Sequence, residues 1–226
     1  MKVLPLEMSP ENMTAVLDGE KTETRRHVRS ESGRANPLLK LEPGDLVWFK
    51  EAINWHPGAP PAVYAARRDL KKVLSRSGAG APVDMTGRPE DWTPRAERTT
   101  PRYMPKWANR ACGRVTAVSV EPLRAIDREA ARREGIVAFS EINRKIGVRE
   151  DYFAPYGAFY RPAREDALNA PHEARRGDPV RAFAALWDRL HRNPGRRFHD
   201  GAEVVAITFA LIEQPVFALV PEAGEG

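Results

Sequence analysis

Apolar residues along the chain fall into short separated blocks, and the spacing within each block predicts an element. Met13, Val16 and Leu17 recur at i, i+3 and i+4, which places three side chains on one face of a helix. Ser9 offers that helix an N-cap, Pro10 suits its first position, and Gly19 can take the left-handed conformation that ends it. Residues 21–29 mix threonine with charge and read as an extended, half-exposed strand. After the Pro43-Gly44-Asp45 turn, residues 46–49 (LVWF) form a continuous apolar run, expected as a buried strand with residues 62–66 (AVYAA) as its neighbour. Residues 114–120 (RVTAVSV) and 203–212 (EVVAITFALI) are rich in β-branched residues and predict two more strands. Residues 127–134 (DREAARRE) predict a short helix capped by Asp127 and ended by Gly135. Asp178 and Pro179 open a longer one, with Val180, Phe183, Trp187 and Leu190 in a single apolar stripe that serves packing.

Two stretches, about 67–101 and 137–176, lack any period and read as long inserted loops. The order of elements is not the regular βαβ alternation of a doubly wound sheet. Several short strands with few helices predict an α+β domain built on a small mixed barrel with flanking helices. Residues 1–215 read as one domain and 216–226 as a C-terminal tail.

Composition narrows the function. The 226 residues carry 36 Lys+Arg against 31 Asp+Glu, a net charge of +5. That mild excess is compatible with a polyanionic partner and does not require one. Cys112 is the single cysteine, so there is no intrachain disulfide and no cysteine-based zinc site, as suits a reducing compartment. The opening MKVLPLEMSPENM is too polar and proline-broken for a signal peptide, and no apolar run approaches the length of a membrane span. The expectation is a cytoplasmic protein. His27, His56, His172, His191 and His199 are scattered without ligand spacing, and no glycine fingerprint or phosphate loop occurs, so neither a metal nor a cofactor is expected.

The residues 19–26 (GEKTETRR) hold the most suggestive chemistry. A desolvated lysine can lose its proton and serve as a base, and a threonine hydroxyl becomes a nucleophile when a base takes its proton. Lys21 and Thr24 offer that pair; Arg25 and Arg26 offer bidentate donors for phosphate or, equally, ion pairs with Glu20 or Glu23. Glu134, at the end of its short helix, sits by the negative end of the helix dipole, which disfavours its charged form. It can act as a proton shuttle or stand as an exposed helix end.

Taken together these blocks resemble the ASCH family. Residues 17–26 (LDGEKTETRR) resemble its "hxxGxKTxTxR" signature. Residues 43–51 (PGDLVWFKE) resemble the "PGDxLWVRE" strand of phage-type members, and 104–108 (MPKWA) their "MPRWAS" turn. Residues 114–136 resemble the strand-then-helix segment ending in "EGI", and 183–190 (FAALWDRL) the "FxxLWD" helix. Where phage-type members carry "NPWVW" before the last strand, this chain has 198–205 (FHDGAEVV). The resemblance implies a PUA-like fold, a small mixed barrel closed by helices. It implies metal-independent hydrolysis of the amide of N4-acetylcytidine or another modified cytidine, with Lys21, Thr24 and Glu134 as catalytic residues and no cofactor. Arg25, Arg26, Trp48, Glu51 and Lys106 are then expected to bind substrate, and the partners implied are a modified nucleoside or RNA. A non-catalytic module that binds RNA or a modified base, stacking it on Trp48, Trp55 or Tyr64, is the alternative. Ribonuclease activity is a further one.

Overall fold

A computed structural model describes residues 1–30, 32–54, 63–64, 98–143, 148–155 and 175–219. The chain begins β1 (Val3–Glu7), α1 (Pro10–Leu17), β2 (Glu23–His27), β3 (Leu46–Lys50), with three two-residue strands, β4 (Ile53–Asn54), β5 (Val63–Tyr64) and β6 (Arg98–Thr99), after them. It continues β7 (Cys112–Pro122), α2 (Arg128–Arg133), β8 (Ile136–Asn143), β9 (Val148–Pro155), β10 (Arg175–Arg176), α3 (Pro179–Leu190), β11 (Glu203–Ile212) and α4 (Val216–Leu219). Five strands form the main sheet in the order β1-β3-β7-β11-β2. β1 runs parallel to β3, and the other pairs are antiparallel. This mixed sheet with few helices is in keeping with the α+β class.

Local chemistry sets the ends of the helices. Ser9 Oγ accepts the Asn12 N–H, Asp127 caps Ala130, and Asp178 caps Val180. Gly19 stops α1 at φ +80°, a left-handed value that costs glycine nothing.

The main core lies on one face of the sheet. Leu6, Val47, Phe49, Val115, Val205, Ile207 and Phe209 pack there with Met13 and Val16 of α1. A bulge opposite Thr208 and Phe209 inserts one residue into β7, so both Val115 and Val118 turn toward this core. A second cluster joins Ala130 and Ala131 of α2, Phe183 and Trp187 of α3, Phe198 and Val204.

The sheet is strongly curled. β1 and β2 are its outermost strands, which a flat sheet would hold roughly 19 Å apart at about 4.8 Å per spacing. Yet Arg26 of β2 donates to the carbonyl of Glu7 at the end of β1, at 2.8 Å. Curling brings the two edges within reach of one arginine side chain.

Several expectations need correction. Residues 21–29 do contain the expected strand, β2, but it is not half-exposed, because Glu23, Thr24, Arg25 and His27 are all buried. The stretch 137–176 is not irregular throughout. β8 and β9 pair antiparallel over eight residues each, and β10 adds to β9. The neighbours of β3 are β1 and β7; Val63 and Tyr64 pair with β4 instead. Leu190 does not share the buried stripe of α3, since it falls on the helix's last residue and is 55% exposed. The expected tail starts with α4, whose Val216 is buried against Trp48 and Cys112. Residues 67–97 of the first expected loop, with Trp55, His56 and His172, lie outside the described residues. Among the described residues no helix is long and apolar enough to cross a membrane.

Phe49 is fully buried and its ring sits 5.2 Å from that of Phe209. Phe49→Ala is expected to cost about 3–5 kcal/mol in urea unfolding, and Val120→Ala, on the exposed part of β7, no more than about 0.5 kcal/mol.

Candidate functional site

All five residues of β2 (ETRRH) are polar, yet four are buried and Arg26 is half-buried. Charged side chains are almost never fully buried unless paired, so such a strand needs partners on both faces. Register supplies them. Thr24 and Arg26 lie opposite Ile207 and Val205 of β11 and share the face of the main core. Glu23, Arg25 and His27 lie opposite Thr208, Ala206 and Val204, on the face covered by α2 and α3.

Lys21 is placed before β2 begins. Its N–H donates to Ala15 in α1, the Thr22 N–H donates to Arg133 in α2, and Lys21 forms an isolated bridge with Glu134. Gly135 makes the approach possible. It has φ +91°, and a Cβ there would sit 3.3 Å from Lys21 Cβ. The Lys21 ammonium donates to the Glu134 carbonyl at 2.8 Å and to Glu134 Oε2. Burial holds the Lys21 pKa below the ordinary lysine value, although Glu134 opposes the shift. Glu134 is no exposed helix end; only 6% of it is accessible.

From Glu134 the network spreads along the α2 side of β2. Glu134 Oε1 faces Arg25 Nη1 at 3.3 Å, and Arg25 donates through Nε and Nη2 to Glu121 Oε1. Arg25 also pairs with Glu23 at 2.6 Å, and Glu23 Oε2 accepts from Arg133 and Thr208. Three cations (Lys21, Arg25, Arg133) thus face three carboxylates (Glu23, Glu121, Glu134).

Arg26 stands apart. It donates to Thr24 Oγ1 at 2.7 Å, to the Arg25 carbonyl at 2.9 Å and to Glu7, and among the described residues no carboxylate pairs with it. Its guanidinium, which Glu134 and Glu7 offset without a direct ion pair, sits beside the Thr24 hydroxyl, an arrangement that favours negative charge developing at that oxygen. No hydrogen bond joins Lys21 to Thr24; the hydroxyl is held by Arg26.

The other expected binding residues are elsewhere. Trp48 alternates with Phe49 on β3 and faces away from the main core, against Cys112 and Val216. Glu51 is fully buried in a bidentate pair with Arg110, at 2.6 and 2.7 Å. Lys106 lies on a 3-10 turn (Lys106–Ala108) next to α4. Among the described residues no hydrogen bond or ion pair joins any of the three to Lys21, Thr24 or Glu134. Tyr64 is described only as part of β5, and Trp55 lies outside the described residues. Burial pushes the Cys112 thiol up to about 12, so it is inert. Among the described residues no group of three or more His, Cys, Asp or Glu is arranged to hold a metal.

Sequence reasoning passed over Glu121 and Arg133 as site residues, and over Glu23 except as a surface ion-pair partner. The charge alternation in ETRR was a usable signal for Glu23 and Arg25, whereas nothing near Glu121 in the chain marks it. His27 and His191 were also missed as a pair. Their rings meet edge to face at 4.8 Å, and both pack on Trp187. His27 Nε2 is buried without a hydrogen-bond partner. His191 is lowered to about 4, first by burial and then by His27, Arg26 and Arg196, with Asp188 opposing.

Two outcomes follow for stability. Glu134→Ala leaves Lys21 and Arg25 facing each other without their shared carboxylate and is expected to cost about 3–5 kcal/mol in urea unfolding. Lys21→Met is expected to cost clearly less, because Arg25 still holds Glu134. The second outcome concerns acid. Between pH 6.5 and about 4 the unfolded chain protonates His191 and the folded chain does not, so stability falls as pH drops through that window. Chemical unfolding at both ends of the window should show a smaller fall for His191→Gln than for the unsubstituted chain.

Compared with family models, curated proteins and solved structures, the chain matches none.

Proposed function

We propose that the chain is an ASCH-like amidohydrolase that removes the acyl group from an N4-acylated, or similarly modified, cytidine. The observation that carries this reading is the buried contact of Lys21 with Glu134, 113 residues apart in the chain. Two side chains selected from separate motifs meet directly, and Thr24 lies three residues from Lys21 on the adjoining strand. A fold stabilised by apolar packing has no need to desolvate such a pair, since well-packed hydrophobic residues serve as well or better.

In this reading Thr24 Oγ attacks the acyl carbon and gives its proton to Lys21, which has passed one to Glu134. The oxyanion of the tetrahedral intermediate forms beside Arg26. Collapse breaks the bond to N4, and Glu134 supplies the proton that completes the leaving amine. Water then hydrolyses the acyl-threonine ester, releasing the carboxylic acid and restoring the hydroxyl. Burial of Lys21 supports its role, because a lysine with a lowered pKa can accept a proton nearer neutrality.

One observation favours a second reading, a non-catalytic module for RNA or a modified base. Thr24 is fully buried and its oxygen is already held by Arg26. A substrate carbonyl reaches it only if that guanidinium moves. If it does not move, the cluster orders the strand, and recognition falls to Arg26 and the residues around it.

Incubation with N4-acetylcytidine, followed by liquid chromatography, separates the two. The amidohydrolase releases cytidine, Thr24→Ala abolishes the release, and Lys21→Met slows it by about 10²–10⁴-fold. Circular dichroism establishes that both variants are folded. No cytidine from this or other N4-acylated cytosines would sink the amidohydrolase and leave the binding module.

A further inference from the structure

Arg25 faces three carboxylates at once, and they come from three different elements. Glu134 ends α2, Glu121 lies on β7 and Glu23 on β2 itself. Position 25 is one that the signature resembled by residues 17–26 leaves open, so its chemistry belongs to this chain.

All three guanidinium nitrogens are engaged. Nη1 donates to Glu134 Oε1 at 3.3 Å and stands 2.6 Å from Glu23 Oε1. The second is a charge contact alone, because Glu23 Oε1 has no hydrogen-bond partner. Nε and Nη2 both donate to Glu121 Oε1, at 3.0 and 2.8 Å. Glu121 is 27% exposed, so the fork reaches from the buried pair toward the surface. A substrate phosphate would have to displace carboxylates that already fill that fork. Burial works against the Arg25 charge, but Glu134, Glu23 and Glu121 together outweigh it and hold its pKa above the ordinary arginine value.

Glu134 is therefore divided between two cations. Its Oε2 and its carbonyl serve Lys21, and its Oε1 serves Arg25. The charged groups around Lys21 are Glu134 from α2 and Arg25 and Arg26 from β2, with Glu23, Glu121 and Arg133 joined to these through Arg25 and Glu23. From α1 the Ala15 carbonyl accepts the Lys21 N–H. Burial comes first in lowering the Lys21 pKa, Glu134 opposes it, and Arg26 and Arg25 add to it. A carboxylate given wholly to one ammonium strengthens that group's hold on its proton, and a nearby guanidinium weakens it.

We infer that Arg25 is a positioning residue for the Lys21–Glu134 pair, holding one oxygen of Glu134 so that the other stays on Lys21 without being the counterion of Lys21 alone. It acts through Glu134 and touches no substrate. The inference rests on reading the pair as the proton-carrying part of an amidohydrolase, and it names the group that readies the lysine as a base.

The test is an NMR titration of the lysine side-chain Nζ and Cε signals, with Lys21 assigned from the signal lost in Lys21→Met. In Arg25→Gln the Lys21 midpoint is expected to rise by about one pH unit or more, because a neighbouring like charge is gone and Glu134 is left to Lys21. Arg25→Lys keeps the charge and should return the midpoint close to that of the unsubstituted chain. The Thr22 amide, which donates to the Arg133 carbonyl, should stay protected from hydrogen exchange in both variants, as it does while the seam around Lys21 is closed. If Arg25→Gln fails to fold, Glu121→Gln, at the partly exposed end of the fork, leaves more of the Arg25 charge on Glu134 and should lower the midpoint instead. An unmoved midpoint overturns the assignment. So does an equal rise in Arg25→Lys, which is what a purely structural link would give. The titration needs no turnover, so the two readings fail separately. A midpoint that moves as expected, with no cytidine released by the unsubstituted chain, keeps the positioning role and removes the amidohydrolase; release of cytidine with an unmoved midpoint does the reverse.

Discussion

Taking Lys21 and Glu134 out of water together is the constraint on which the surrounding architecture depends. Removing either charge from solvent alone costs several kcal/mol, and their attraction repays this only with close geometry and further hydrogen bonds. Each condition is met by a different element. The turn after α1 delivers the lysine, the end of α2 delivers the carboxylate together with its carbonyl, and Gly135 removes the Cβ that would crowd the approach. Arg25 then fills the second carboxylate oxygen from the neighbouring strand. The pair is thus the seam between the α1–β2 segment and α2.

β2 sits where the demands of two cores meet. Its Thr24 and Arg26 point toward the main apolar cluster, and its Glu23, Arg25 and His27 toward the helices. A strand buried on both faces is ordinarily apolar on both. Here one face is balanced ion for ion, while the other keeps a single arginine with only neutral acceptors. Because the sheet curls, that arginine also ties β2 to the far edge at Glu7. The most electrostatically exceptional group of the region therefore has a structural duty and stands beside the most buried hydroxyl. Any ligand that competes for Arg26 also acts on the contact between the sheet edges.

Periodicity and end signals were legible where local rules decide. Ser9, Asp127 and Asp178 cap the helices that their spacing predicts, Gly19 and Gly135 end two of them, and the runs at 46–49, 114–120 and 203–212 are strands. The hairpin of β8 and β9 was not legible, because its strands mix charge, aromatics and proline without a clean alternation. The burial of residues 23–27 was hidden for a related reason: five polar residues in a row carry no hydropathy signal. Trp48, Glu51 and Lys106 stand in recognisable blocks as the site residues do, yet adjacency in a motif says nothing about which face of a sheet a residue takes.

By itself the sequence determined α1, α2 and α3 with their caps, four of the five main strands, and the residue types at 21, 24 and 134. Those follow from interactions within a few residues, which any stretch of chain carries with it. Tertiary structure alone decided that Lys21 meets Glu134, that Arg26 and not Lys21 holds Thr24, and that Glu51 is spent on Arg110. These pairings join segments as far as 113 residues apart or turn on which face a strand presents. Strand order, the curl of the sheet and burial on both faces of β2 set them, and none of these is a property of any short stretch of chain.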